Sequence, residues 1–121
     1  MGGGFAGTTV ARCLQQFFQV TLVDTKEFFE FTPSVLRTIV EPERLQRIQV
    51  EHSEYLDQTE LVVGKVCSID RASKEVFITR NLQQEAHHEG DHSLSLPYDT
   101  LVVCSGSFYN TPFKARLPPS H

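Results

Sequence analysis

The chain begins Met1-Gly2-Gly3-Gly4-Phe5-Ala6-Gly7, and the reading of this stretch decides the fold. Four of the seven glycines lie in it, and Gly2, Gly4 and Gly7 fit the spacing G-x-G-x-x-G. Glycines so placed let a chain turn tightly and bring its backbone close to a bound group. When a helix follows, its free N–H groups and positive dipole end suit an anion such as a pyrophosphate. Phe5, Val10, Cys13, Leu14, Phe17 and Phe18 recur at helical spacing and predict that helix over 5–18. Such a loop is ordinarily held by a buried strand just upstream, whereas here the motif starts at residue 2. The stretch therefore predicts a dinucleotide-binding loop in a domain whose first strand is missing.

Moving outward, Gln19 to Asp24 is a short β-branched run that reads as a buried parallel strand. Its terminal acid, Asp24, follows the first glycine by about 20 residues, the spacing of a carboxylate that accepts hydrogen bonds from ribose hydroxyls. A helix is expected from Pro33 or Ser34 with Thr32 as its cap, and another near Glu41-Pro42-Glu43-Arg44. The polar turn Arg71-Ala72-Ser73-Lys74 separates Glu60–Asp70 from Glu75–Thr79 and predicts an antiparallel hairpin. Residues 80–95 read as an exposed loop, Thr100–Cys104 as a second buried strand, and 109–121 as an irregular tail. A plain NAD domain continues with alternating helix and strand, so the hairpin is the informative departure.

Composition narrows the class. One domain fits within 121 residues, and a net charge of −4 with scattered Lys and Arg argues against a nucleic-acid partner. No apolar run reaches the roughly 18 residues of a membrane span, and no signal peptide is visible. Cys13, Cys67 and Cys104 are widely spaced and read as reduced thiols. The expected location is intracellular, in the cytoplasm or peripheral on a membrane surface. His87, His88 and His92 fall in the polar stretch and read as solvated, not as metal ligands.

Taken together, Gly2–Gly7, Val20-Thr21-Leu22-Val23-Asp24 and Tyr98–Gly106 resemble the FAD-binding half of pyridine nucleotide–disulfide oxidoreductases. That family's last strand ends Ala-Thr-Gly, where this chain has Cys104-Ser105-Gly106. Phe29–Leu36 is similar to a Phe-x-Phe-Thr-Pro stretch of type II NADH dehydrogenases. Asp24-Thr25-Lys26 and Leu36–Glu41 resemble the apoptosis-inducing-factor-like ferroptosis-suppressor branch, flavin-dependent NAD(P)H:quinone oxidoreductases. The resemblance covers nearly all of this chain and the N-terminal third of such an enzyme.

The resemblance implies an α/β fold: an incomplete Rossmann-like FAD-binding domain with a parallel sheet and an antiparallel β-hairpin crossover, its first strand missing. It implies FAD as cofactor, NAD(P)H as co-substrate and a quinone-like acceptor. Gly2, Gly3, Gly4, Phe5, Ala6 and Gly7 would hold the pyrophosphate and Asp24 the ribose. The Val66 backbone would meet the adenine edge, Lys26 and Arg37 would assist the nucleotide, and Ser105 and Gly106 would line its return. Lys26 and Arg37 read equally well as solvated charges, Phe28, Phe29 and Phe31 as core or interface, and Cys104 as a small buried hydrophobe. No side chain is named as catalytic, because the flavin does the chemistry.

A lost central strand would remove about four Val or Ile side chains, each worth about 1.5–3 kcal/mol. That is comparable with a whole domain's net stability of about 5–15 kcal/mol. The expectation is therefore a truncated piece of a longer parent enzyme, inactive alone, whose partners are FAD and the missing remainder. A NAD(P)-binding dehydrogenase domain and a non-enzymatic remnant stay open as alternatives.

Overall fold

The computed structural model describes residues 1–80 and 94–107. Helix α1 spans Phe5–Leu14, followed by β1 (Val20–Asp24), β2 (Phe28–Glu30), α2 (Leu45–Ile48), β3 (Gln49–Glu51), β4 (Thr59–Val63), β5 (Lys65–Asp70), β6 (Glu75–Thr79) and β7 (Leu94–Pro97). Turns of 3-10 helix cover Thr32–Ile39, Pro42–Arg44 and His52–Glu54.

The centre is a parallel pair, β1 beside β4, in register from Val20 opposite Thr59 to Asp24 opposite Val63. Side chains alternate across a strand, and β1 uses both faces. Leu22 packs with Ala11 of α1 and Leu56, whereas Val23 packs with Val62, Val76 and Ile78. The parallel pair thus lies between α1 and the antiparallel sheet β5-β6-β7. The fold is α/β with the expected antiparallel crossover. Ile78 is the largest fully buried apolar side chain and anchors the second layer.

Local chemistry explains the element ends. Gln15, just past α1, accepts from the Gln58 N–H and Thr59 hydroxyl and donates to Asp57, at 3.3, 2.9 and 3.1 Å. The helix stops where this amide ties it to the entrance of β4. Phe17 and Phe18, expected on the helix, are consequently exposed beyond it. The β5–β6 turn is held by Asp70, whose carboxylate accepts the Ala72 and Ser73 N–H groups and has its pKa lowered by them. Gly64 joins β4 to β5: its N–H donates to the Asp24 carbonyl at 2.8 Å, and a Cβ there would lie 2.5 Å from Ile78 Cγ2.

Some expectations are corrected. Thr100–Cys104 is not a buried strand: Val102 and Val103 are exposed, and the segment forms no ladder. Its described pairing is with Met1, whose ammonium donates to the Val102 carbonyl while the Cys104 N–H donates to the Met1 carbonyl. One paired residue along its edge makes no ladder, and the Val102 and Val103 side chains stay exposed. On its other side the Gly2 N–H donates to the Val23 carbonyl at 2.8 Å, so Met1 and Gly2 bridge β1 and 102–104. Among the described residues no strand precedes α1. Thr32 is not a cap but the first residue of a 3-10 turn, whose cap position is Phe31. β7 begins at Leu94, inside the stretch expected to be a loop. The rest of that loop (81–93), with its histidines, and the tail from 108 lie outside the described residues.

Candidate functional site

Three glycines form the loop between Met1 and α1, a fourth, Gly7, lies in the first turns of α1, and their surroundings differ. Gly2 has φ of +96°, a conformation that side chains rarely adopt, and a Cβ there would run into the Cys104 carbonyl. A Cβ at Gly7 would overlap the Gly2 carbonyl oxygen, so the helix can press against the loop only without one. At Gly3 a Cβ would press on the Asp24 carboxylate and lie 2.6 Å from His52 Nε2. Gly4 is the exception: a Cβ there would meet nothing within 4 Å.

Gly4 is also the N-cap of α1 and supplies no side-chain cap, and the first turn carries no acidic residue. The first N–H groups of a helix have no intrahelical partner, so the positive end of α1 presents uncapped amides over an open glycine. A carboxylate stands close by at the end of β1. Asp24 Oδ1 accepts the Thr25 N–H at 2.8 Å, and Oδ2 lies 3.6 Å from His52 Nε2. The Asp24 side chain keeps 16% of its surface exposed, enough to reach a ligand. The arrangement offers N–H donors to a phosphate at the start of α1 and a carboxylate acceptor to a sugar diol at Asp24.

His52 has no place in the sequence reading. It follows β3, is completely buried, and donates its backbone N–H to the Glu27 carbonyl at 2.9 Å. Its Nδ1 lies 2.5 Å from the Tyr55 hydroxyl, with the rings edge to face. Burial is the main cause that lowers the His52 pKa, against the opposing pull of Asp24. Burial likewise pushes the Tyr55 phenol up to about 12. The one local signal was the spacing His52-x-x-Tyr55, which by itself has no specific meaning.

The remaining expected residues divide. Ser105 is brought against Gly2, since a Gly2 Cβ would lie 3.1 Å from its nitrogen, and Gly106 follows with φ of +72°. Val66 sits on β5 opposite Ile78 and packs against the core. Phe5 meets Phe29 and Phe31 edge to face, at centroid distances of 5.0 and 5.5 Å. Lys26 pairs with Glu30 at 3.7 Å and stands over the Phe28 ring. Arg37 pairs with Glu41 at 3.7 Å in an exposed setting. Neither cation has a described contact with the glycine loop. A separate groove of about 920 Å³ runs along α1, lined by Phe5, Arg12, Phe17, Phe29, Val50 and Tyr55.

With this geometry in place, comparison with known proteins is decisive on family: the pyridine nucleotide-disulphide oxidoreductase pattern matches residues 1–119. The chain belongs to that family. Among its relatives, apoptosis-inducing factor homolog B of Dictyostelium discoideum is 29% identical over 97% of the chain and 27% of its own length. The external alternative NAD(P)H-ubiquinone oxidoreductase B2, mitochondrial, of Arabidopsis thaliana is 30% identical over 92% of the chain and 19% of its own length. The sulfide:quinone oxidoreductase of Aquifex aeolicus shares the fold, with a TM-score of 0.63, 22% identity, and coverage of 81% of this chain and 21% of that one. The chain thus spans about a quarter of the length of the curated relatives it matches. Among the described residues, no helix is long and apolar enough to cross a membrane.

Proposed function

We propose that this chain is the FAD-binding portion of a flavin-dependent NAD(P)H oxidoreductase that passes hydride from NAD(P)H, by way of FAD, to a quinone-like acceptor. The observation that carries the reading is Gly4. Gly2, Gly3 and Gly7 leave no room for a side chain within the chain, whereas a Cβ at Gly4 would meet nothing within 4 Å, so the absence of a side chain there serves no internal packing and leaves the α1 amides open to an anion. Family membership supports the reading. So does the antiparallel sheet that follows β4, where a plain NAD domain would continue with helix and parallel strand.

In this proposal the amides of Gly4, Phe5 and Ala6 and the α1 dipole receive the pyrophosphate. Asp24 accepts the ribose hydroxyls, and Gly3 keeps the wall between loop and carboxylate low. Val66 offers its backbone to the adenine edge, and Ser105 and Gly106 flank the nucleotide beside Gly2. Lys26 and Arg37 assist from the surface by exchanging Glu30 and Glu41 for ligand oxygens. Bound FAD would supply two-electron transfer, and the protein would bind and orient it. Turnover requires nicotinamide and acceptor sites, which the proposal assigns to the remainder of a longer enzyme. The chain alone is therefore a binding unit without turnover, acting in the cytoplasm or at a membrane surface.

Titration of the purified chain with FAD, FMN and NADH by calorimetry tests the reading. FAD is expected to bind and FMN, which lacks the adenosine end, to bind at least about tenfold more weakly, a difference of about 1.4 kcal/mol. Tighter binding of NADH than FAD would favour a nicotinamide domain. A stably folded chain that binds none of the three would refute the proposal.

A further inference from the structure

The buried ring behind the glycine loop has a use that the proposed site leaves open. His52 is completely buried, yet its Nε2 has no hydrogen-bond partner among the described residues. A buried polar atom without a partner carries a desolvation penalty, and such atoms are uncommon in folded proteins. This one faces Asp24 Oδ2 at 3.6 Å, just beyond hydrogen-bond reach, with Gly3 alongside.

We propose that His52 is a positioning residue for the ribose-binding carboxylate: the carboxylate fixes the tautomer that turns an Nε2–H toward Asp24 Oδ2, and the Tyr55 hydroxyl pairs with Nδ1 on the far side of the ring. The proposal rests on the dinucleotide reading above. A neutral imidazole carries one proton, and the other nitrogen accepts. If Nδ1 held the proton, the Nε2 lone pair would face a carboxylate oxygen and repel it. With the proton on Nε2, the Tyr55 O–H donates to Nδ1 across the 2.5 Å contact and the N–H points at Asp24. Both contacts then have a donor and an acceptor.

The consequence is a carboxylate held from two sides. Thr25 N–H holds Oδ1 at 2.8 Å, His52 faces Oδ2, and the exposed part of the group is left to accept a diol. Gly3 is what lets the imidazole and the carboxylate meet behind the loop, because a Cβ there would lie 2.6 Å from Nε2. A residue that only filled the core would leave sugar recognition unaffected once the fold was intact.

The test compares the affinity of the chain for ADP and for 2′,3′-dideoxy-ADP, in the unaltered protein and in His52→Leu and His52→Gln. The unaltered chain should prefer ADP by about tenfold or more, the scale of a hydrogen bond to a charged group. His52→Leu should reduce the preference to less than about threefold, and His52→Gln, which can still donate, should restore part of it. An undiminished preference in His52→Leu overturns the inference and leaves the dinucleotide site standing. Absence of ADP binding by the unaltered chain refutes the dinucleotide reading and this inference with it. Should the Leu variant fail to fold, ¹⁵N NMR of His52 in the unaltered chain decides. An Nε2–H tautomer is expected, and an Nδ1–H tautomer overturns the proposal.

Discussion

Replacing Gly4 by alanine separates binding from folding at a single atom. Gly4 has φ of −79° and ψ of −166°, which any residue adopts, and its Cβ would meet nothing within 4 Å. Alanine is a poorer N-cap than glycine. It also restricts the unfolded chain, a gain of about 0.4–1 kcal/mol. The two effects oppose each other, so net stability should change by less than about 1 kcal/mol, a shift in Tm of no more than about 4–8 °C. Binding should respond differently. A methyl group over the α1 amides would hold a phosphate away from at least one N–H donor. A hydrogen bond to a charged group is worth about 1.5–3 kcal/mol, so affinity for FAD should fall about 10- to 150-fold. Thermal melts and calorimetric titration of the same preparation measure both quantities. A folded Gly4→Ala chain that binds FAD within threefold of the unaltered protein would refute the assignment of Gly4 as the phosphate approach. Gly7→Ala is the contrast, because its Cβ would overlap the Gly2 carbonyl and must dislodge the loop.

Other outcomes follow from the same geometry. Asp24→Asn should weaken FAD binding by about tenfold, since the amide retains one acceptor oxygen and presents donors where hydroxyls donate; competition against ADP measures it. Gly64→Ala should cost about 1–3 kcal/mol in urea unfolding, because its Cβ would press on buried Ile78 and lie 2.9 Å from the Thr79 carbonyl. Stability should fall as pH drops from 8.0 through 6.5 and below. Burial lowers the folded pKa of both the Met1 ammonium and His52 from ordinary values of 8.0 and 6.5, so the unfolded chain binds more protons in that window. His52→Gln should flatten the part of that slope below 6.5 in urea melts, and an unchanged slope would contradict it. At the other extreme, Tyr55 should withdraw stability as pH rises from 10.0 to about 12, because its folded phenol holds its proton longer than the unfolded one.

The parts legible in the sequence were those set by near neighbours. The glycine spacing, the α1 start at Phe5 and the β1 end at Asp24 are local patterns, and each lies where expected. The β5–β6 hairpin was equally readable, because Asp70 and the polar residues after it make their own turn. Long-range pairing was harder. Glu60–Asp70 looked like one loosely alternating strand, yet Gly64 divides it into β4, parallel to β1, and β5, antiparallel to β6. At that junction a Cβ on Gly64 would lie 2.5 Å from Ile78 Cγ2, a long-range requirement that no local pattern records. The β2–β3 pair was missed for the same reason, since Phe28–Glu30 meets Gln49–Glu51 only after the intervening turns have folded. Thr100–Cys104 was overread, because β-branched residues signal a strand without showing what pairs with it. His52 was invisible because its meaning comes from Asp24 and Gly3, both distant in the chain.

Mapping backbone amide shifts of the ¹⁵N-labelled chain during addition of FAD tests the central claim most directly. The largest changes are predicted at Gly4, Phe5 and Ala6 of the loop and α1, at Thr25 beside Asp24, and at Ser105. Changes confined to the Phe17 and Val50 side of the α1 groove, or none at saturating FAD, would contradict a dinucleotide site at the opening glycines.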